Sequence, residues 1–106
     1  MPKYLFTGSF TATGAKGVQA EGGTSRAKAL REAFASVGGT MESYYFAFGS
    51  DDFYVFGDLP DNTTAAGVAL NTSATGAVRT RTVVLLTPEE VDRASGIKGT
   101  YRAPGA

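Results

Sequence analysis

The 106-residue sequence contains no histidine and no cysteine, and these two absences exclude several kinds of site. Without cysteine the chain can form no disulfide, no thiol nucleophile and no thiolate metal site. Without histidine it lacks the commonest general base of enzymes and the commonest protein ligand of transition metals. We therefore expect neither a metal centre nor a bound cofactor.

The sequence also lacks an excess of charge of either sign and any long apolar run. Ten basic and ten acidic residues cancel, so no basic surface is indicated for nucleic acid or an anionic membrane. No apolar run approaches the roughly 20 residues of a transmembrane helix, and the first ten residues show no apolar signal-peptide region. We expect a cytoplasmic protein that binds neither nucleic acid nor membrane.

What the sequence does contain is a hairpin rich in aromatic residues. Its predicted arms are Thr40–Phe48 (TMESYYFAF) and Phe53–Asp58 (FYVFGD), and the residues between them are typical of turns. The two arms carry three of the five tyrosines and four of the seven phenylalanines. We therefore expect the core, or any pocket, to be built around this hairpin.

The remaining pattern predicts two more strands and four helices. They are a strand at Lys3–Phe10, a helix capped by Thr11 or Thr13 and ending at Ala20, a helix capped by Thr24 or Ser25 and ended by Gly38–Gly39, a helix at Thr63–Thr75, a strand at Ala77–Leu86 and a short helix after Thr87. Thr87-Pro88-Glu89-Glu90 is the clearest helix start, with an N-cap, a proline at the first position and a glutamate three residues after the cap. We predict one domain over residues 1–95 and a tail over 96–106, either an arm held by Tyr101 or a disordered segment.

The order β-α-β-β-α-β, with its first helix broken in two, is typical of an α+β ferredoxin-like fold. In that fold helices cover one face of a four-stranded antiparallel sheet and leave the other face open. Both alternating sets of the hairpin are nevertheless apolar or aromatic, with Tyr44 and Phe46 on one face and Tyr45 and Ala47 on the other. Such a sheet is buried on both faces, so we expect a second copy to cover the open one, as in a homodimeric α/β barrel.

Several motifs along the chain carry a resemblance to a known family. They are MPKYLFTGSF, GAKG, EGGTSR, YYFAFGSDDFYVFGDLPDN, TGAVRTRTVVLLTPEEVD and YRAPG. In this order they resemble the GYD domain family, a group of small bacterial and archaeal proteins related to dimeric α/β-barrel proteins. The family pattern has Tyr-Asp at the hairpin tip, where this sequence reads Asp51-Asp52. The resemblance implies the fold of the dimeric α/β-barrel proteins and a homodimer or higher homo-oligomer. It identifies no catalytic residues.

A pocket in the barrel would draw on the aromatic and charged residues of the strands. The candidates are Glu42, Tyr44, Tyr45, Phe46, Tyr54 and Arg81. Strict alternation places Glu42 on the same face as Tyr44 and Phe46. Glu42 and Arg81 then have two interpretations: charges of an interface or a solvated sheet edge, or polar groups set in an aromatic pocket.

Two further groups of residues suggest ion binding. Gly23, Thr24 and Arg26 lie at a predicted helix start, where free backbone amides could hold an anion, and the alternative is an ordinary break between two helices. Asp51, Asp52 and Asp58 are acidic, but neighbouring strand residues point to opposite faces. We assign these aspartates to turn chemistry and not to a metal.

Three functional hypotheses follow. The leading one is a homodimeric barrel that binds a small apolar or aromatic molecule between its sheets. The second is a cofactor-independent isomerase or monooxygenase in which Glu42, Arg81 and Tyr44 or Tyr45 carry the acid–base work, and it rests on fold analogy alone. The third is a structural module whose dimers pack into larger rings.

Overall fold

The computed structural model describes all 106 residues, and it contains four strands and four helices. Along the chain they are β1 (Lys3–Phe10), α1 (Ala12–Glu21), α2 (Gly23–Ser36), β2 (Thr40–Phe46), β3 (Phe53–Asp58), α3 (Asn62–Ala74), β4 (Val78–Leu85) and α4 (Pro88–Ser95). The strands form one antiparallel sheet in the order β2-β3-β1-β4. The α+β fold predicted from the sequence is confirmed, and the sheet of the single chain is open.

Side chains at the helix starts explain where three of the helices begin. The Thr11 hydroxyl accepts a hydrogen bond from the Gly14 amide at 3.2 Å, and the Asp61 carboxylate accepts one from the Thr64 amide at 2.8 Å. At the start of α4, the Thr87 and Glu90 side chains each accept from the other's backbone amide, which confirms the predicted capping box.

The start of α2 differs from the prediction. Neither Thr24 nor Ser25 caps it, because the helix already begins at Gly23 and both residues lie in its first turn. Its N-cap is Gly22, at φ +85°, with no side-chain cap bond. Glycine adopts this left-handed backbone at little cost, so the glycine pair that ends α1 also starts α2.

The core lies between one face of the sheet and the helices α2 and α3. Its fully buried large side chains are Tyr4, Phe34, Val55 and Leu59. The ring of Phe34, on α2, packs edge-on against Phe6 of β1 with centroids 5.6 Å apart, and it lies over Gly57 of β3, where any Cβ would meet it. Burial of each such side chain contributes about 1.5–3 kcal/mol. We call this sheet surface the covered face.

A β-bulge in β2 changes which face its residues occupy. Met41 pairs with Gly57 and Ser43 pairs with the next residue, Phe56, so Glu42 is an extra residue in the ladder. The prediction that Glu42 shares a face with Tyr44 and Phe46 is therefore wrong. Strict alternation holds only without a bulge, and this one shifts the alternation by one residue.

The other surface of the sheet, the open face, has no helix over it. Leu5 of β1 lies between Phe56 of β3 and Val83 of β4, and in the next row Thr7 lies between Tyr54 and Arg81. Tyr45 pairs with Tyr54 and is 64% exposed. The open face is thus aromatic and aliphatic along its middle, as the sequence predicted.

The last 21 residues, 86–106, lie outside the packed domain. Helix α4 has no buried residue, and residues 96–106 form no helix or strand. Tyr101 is 84% exposed, so it does not hold the tail against its own domain. None of the four helices has the length and apolar character needed to cross a bilayer.

Candidate functional site

The six residues predicted to form one pocket lie on both faces of the sheet. Tyr44 and Phe46 belong to the covered face, where the Tyr44 ring lies 4.7 Å from that of Phe46 and 6.4 Å from that of Phe53. Tyr45, Tyr54 and Arg81 belong to the open face, and so does Glu42 because of the bulge. A single chain therefore does not bring the six together.

At one end of the open face, Glu42 has a partner other than Arg81. The Lys3 ammonium pairs with the Glu42 carboxylate and lies 3.3 Å from an oxygen of Asp58. The bond with Glu42 is the main cause that raises the pKa of Lys3 above its usual value. Glu42 has a 57% exposed side chain, so it is a solvated partner of Lys3 within the chain.

At the other end of the open face, Asp51 joins two strands. Its carboxylate pairs with Arg81 of β4 and lies 2.8 Å from the Thr7 hydroxyl of β1. The Asp51 side chain is 14% exposed and Thr7 is buried, so the bond between them is largely shielded from solvent. The family's tyrosine position is thus occupied here by an ion-pair partner of Arg81.

The neighbouring Asp52 has a structural role on β1. Its carboxylate accepts a hydrogen bond from the Phe10 amide at 2.9 Å, and its own amide donates to the Gly8 carbonyl at 2.7 Å. These bonds hold the hairpin tip against the end of β1. No three acidic side chains come together in a way that could hold a metal ion.

Several concave surfaces of the domain lie on the covered face, and two of them adjoin helix α1. The largest beside this helix, the α1 cleft, has a volume of about 610 Å³ and lies between α1 and the hairpin tip. Its lining includes Phe10, Lys16, Gly23, Phe46 and Phe48. A volume of this size is within the range of roughly 300–1,000 Å³ that is usual for small-molecule sites.

The floor of the α1 cleft is a set of aromatic rings in mutual contact. The Phe10 ring stacks on Phe46 at 6.2 Å and lies 5.3 Å from Phe53, while Phe46 also contacts Tyr44. Phe46 remains 39% exposed, and the Phe48 side chain is fully exposed at the cleft margin. Aromatic rings of this kind offer faces and edges on which a planar apolar molecule can stack.

Helix α1 forms the roof of the cleft and is lightly packed. Gly14 is its one buried residue, and the helix backbone passes so close to Ala77 that a Cβ at Gly14 would collide with the Ala77 carbonyl oxygen. Thr11 adds a hydrogen bond from its hydroxyl to the Gly76 carbonyl at 2.6 Å. The start of α1 is therefore held firmly, while the rest of the helix buries little.

Arg26 connects the predicted anion site with the predicted aromatic pocket. It lines a second cavity, of about 230 Å³, on the other side of α1 and also a small cavity of about 30 Å³ that Tyr44 shares. Burial raises the pKa of the Tyr44 hydroxyl, and the nearby Arg26 guanidinium opposes this rise. Neither Arg26 nor Lys16 has a carboxylate within 4.0 Å.

The residues predicted for the pocket and for the anion site are thus grouped differently in the structure. Gly23, Arg26, Tyr44 and Phe46 come together around α1, Gly23 being so close to the Phe46 ring that a Cβ there would press on it. Thr24 is exposed and lines neither cavity. Phe10 and Lys16 were not predicted as cleft residues, although two-residue alternation along Lys3–Phe10 puts Phe10 on the same face as Tyr4 and Phe6.

Chemically, the α1 cleft combines an apolar aromatic surface with the side chains of Lys16 and Asp52. Arg26 lies in the adjoining cavity, and neither cation forms an ion pair. This arrangement suits binding of an apolar or aromatic molecule, and it offers no pairing of a nucleophile with a general base. A comparison with protein families found that the model of the GYD domain matches residues 4–95. Comparison with curated proteins and with solved structures found no match.

Proposed function

The chain belongs to the GYD domain family, and from this premise we propose that it is a homodimeric protein that binds a small apolar or aromatic molecule. The observation that carries the binding proposal is the α1 cleft, which is open, aromatic along its floor and of about 610 Å³. The sequence analysis placed such a ligand between the two sheets of a barrel. The cavities of the single chain favour the covered face instead.

The cations beside the cleft refine the chemistry of the ligand. Lys16 lines the cleft itself, and Arg26 lies across α1 in the adjoining cavity. Neither forms an ion pair, although Asp52 also lines the cleft and Glu21 the adjoining cavity. A ligand with an acidic group that contacted Lys16 or Arg26 would gain a charge-assisted contact that a neutral one would not. The proposal is therefore strongest for an aromatic or apolar molecule that carries one acidic group.

The dimer is supported by the open face. Leu5, Phe56 and Val83 form an apolar row that no helix of the chain covers, and Tyr45 and Tyr54 extend it. Ion pairs of Lys3 and of Arg81 lie at its two ends, where they would form the polar margin of an interface. Packing of two such faces would close an α/β barrel.

Binding can be tested with 8-anilinonaphthalene-1-sulfonate, an aromatic anion whose fluorescence rises in an apolar site. We expect the folded wild-type protein to bind it, and Phe46→Ala to bind it several-fold more weakly with an unchanged circular dichroism spectrum. Tyr45→Ala is the matched control, because Tyr45 is the neighbouring residue of the same strand and lies on the open face. It should bind the probe as the wild type does.

Two results would contradict this assignment. If Tyr45→Ala weakened binding and Phe46→Ala did not, the ligand would lie between the sheets, as the sequence analysis predicted. If the wild-type protein bound no probe and carried no additional mass in native mass spectrometry after purification from its own host, the binding function would be wrong. A structural module of larger rings would then be the better hypothesis.

No specific observation in the structure supports the enzymatic hypothesis. It required Glu42 as a base inside an aromatic pocket, whereas Glu42 is exposed and paired with Lys3. Of its proposed partners, Tyr44 lies on the covered face, while Tyr45 and Arg81 lie on the open face but on the two opposite edge strands, β2 and β4.

A further inference from the structure

The C-terminal arm, which we define as residues 86–106, has no partner within its own chain. All its residues are exposed except the half-buried Glu90, and the hydrogen bonds of its residues run within the arm. The whole chain has a radius of gyration of 16.8 Å, against about 13 Å for a compact chain of this length. The arm therefore extends away from the packed domain.

The arm is nevertheless built to pack against an apolar surface. Helix α4 carries a proline start and a complete capping box, yet at eight residues it is too short to be stable without tertiary contacts. Leu86 and Val91 occupy the two positions of a hydrophobic staple, and Val91 is still 51% exposed. Glu89 and Arg93 lie on the side of the helix away from Val91.

A second surface of the same chain also lacks a partner, and it matches the arm in character. This surface, the α3–β4 groove, has a volume of about 630 Å³ and lies between helix α3 and the edge strand β4. Its lining includes Ala66, Ala69, Leu70 and Val84 and contains no charged residue. Leu70 is 69% exposed, so the groove presents apolar side chains to solvent.

We propose that the arm of one copy packs into the α3–β4 groove of a second copy of this chain. The uncharged groove suits the apolar side of α4 and leaves Glu89 and Arg93 in solvent. In a two-fold exchange each copy would contribute the ten residues that line its groove together with the apolar side of its arm, toward the roughly 20–30 residues that each partner contributes to a standard interface. A two-fold exchange would fill the groove of both copies at once.

The groove of a second copy is favoured over the groove of the same chain, because the arm projects from its own domain and does not turn back on it. This contact is separate from the open face, since the groove lies on the covered side of the sheet beside α3. It therefore adds a second interface between copies and does not depend on closure of the barrel.

The absence of native cysteine allows a direct test by site-specific cross-linking. Two single variants, Leu70→Cys with an affinity tag and Val91→Cys without one, are mixed, unfolded together, refolded and treated with a short bismaleimide reagent. A product with the summed mass of the two chains can arise only between copies. We expect it to form several-fold faster than the product of Leu70→Cys with Arg93→Cys, the matched control on the opposite side of α4.

Other outcomes would overturn the proposal. A link that forms within one chain of the Leu70→Cys/Val91→Cys double variant, with none between chains, would show that the arm folds onto its own groove. If Val91→Cys and Arg93→Cys formed the link with Leu70→Cys at equal rates, the link would come from chance collisions between chains and not from packing of the arm in the groove. Absence of any Leu70–Val91 link in a protein that light scattering shows to be dimeric would leave the open-face dimer standing and remove the arm exchange.

Discussion

The two faces of the sheet have similar amino acids and opposite surroundings. On the covered face, Tyr4, Phe6 and Val55 are buried under helices of the same chain and contact one another at close range. On the open face, Leu5, Phe56 and Val83 form an equally apolar row that only solvent meets in the single chain. The difference shows that apolar alternation on both sides of a strand does not say which face the helices of the same chain will cover.

The faces also differ in where they place charge. The covered face has no ion pair beneath its helices, while both ends of the open face carry one, at Lys3–Glu42 and at Arg81–Asp51. Charges at the ends of a flat apolar surface limit how two such surfaces can slide against each other. This pattern would suit the polar margin of the proposed interface between copies.

The largest expected effect is on the covered face. Phe34→Ala removes a fully buried ring that packs on Phe6 and Gly57, and we expect it to lower the free energy of unfolding by about 3–5 kcal/mol. Urea unfolding followed by circular dichroism measures this loss. A cost below about 1 kcal/mol, which is usual for surface positions, would contradict the assignment of Phe34 to the core.

The next prediction concerns the open face and changes assembly more than folding. Phe56→Glu places a charge in the middle of the apolar row, between Leu5 and Ser43. We expect a wild-type dimer to become a monomer with an unchanged circular dichroism spectrum, as measured by light scattering on a sizing column. A variant that stays dimeric would show that the open face is not the interface.

A smaller effect is expected for the charge that the sequence analysis had considered as a catalytic base. Glu42→Gln removes the exposed ion pair with Lys3, and such pairs contribute about 0–1 kcal/mol. Chemical denaturation should therefore barely distinguish this variant from the wild type. A loss of several kcal/mol would mean that Glu42 is buried in the assembled protein and that the pair belongs to the interior of the interface.

The smallest effect concerns the cap of α3, one of the helices that cover the sheet. Hydrogen bonds from the Thr64 amide and hydroxyl lower the pKa of Asp61 below 3.8 in the folded chain. As the pH falls, the unfolded chain takes up this proton before the folded chain does. The contribution of Asp61 to the free energy of unfolding is therefore complete above pH 3.8 and is lost as the pH falls through the pKa of Asp61 in the folded chain. Asp61→Asn should flatten the fall in melting temperature between pH 5 and 3 (roughly the range spanned by an aspartate titration); an unchanged slope would remove Asp61 from the acid response.

Most of the fold could be predicted from local sequence signals. Strand β1, the second hairpin arm and the Thr87 capping box were all found where the sequence placed them. These features depend on residues within a few positions of each other. The hairpin's first arm ended two residues early, at Phe46, and Phe48 beyond it is fully exposed.

The site was harder to predict because it depends on contacts between distant residues. No local signal marks the bulge at Glu42, which moved that residue to the other face. The pairing of Asp51 with Arg81 joins residues 30 positions apart, and the α1 cleft depends on how a glycine of α1 meets Ala77. Alternation could place Phe46 and Tyr45 on opposite faces, but it could not predict that α1 would leave a cleft over Phe46.

The bulge has a consequence for how this strand tolerates changes of length. Because side chains alternate between the two faces of a strand, inserting or deleting one residue moves every later residue of that strand to the opposite face of the sheet. Glu42 is already the extra residue, so a chain without it would regain a regular ladder with Met41 and Ser43 still opposite Gly57 and Phe56. We expect this position to be the one place in β2 where the chain can lose a residue and keep its two surfaces distinct.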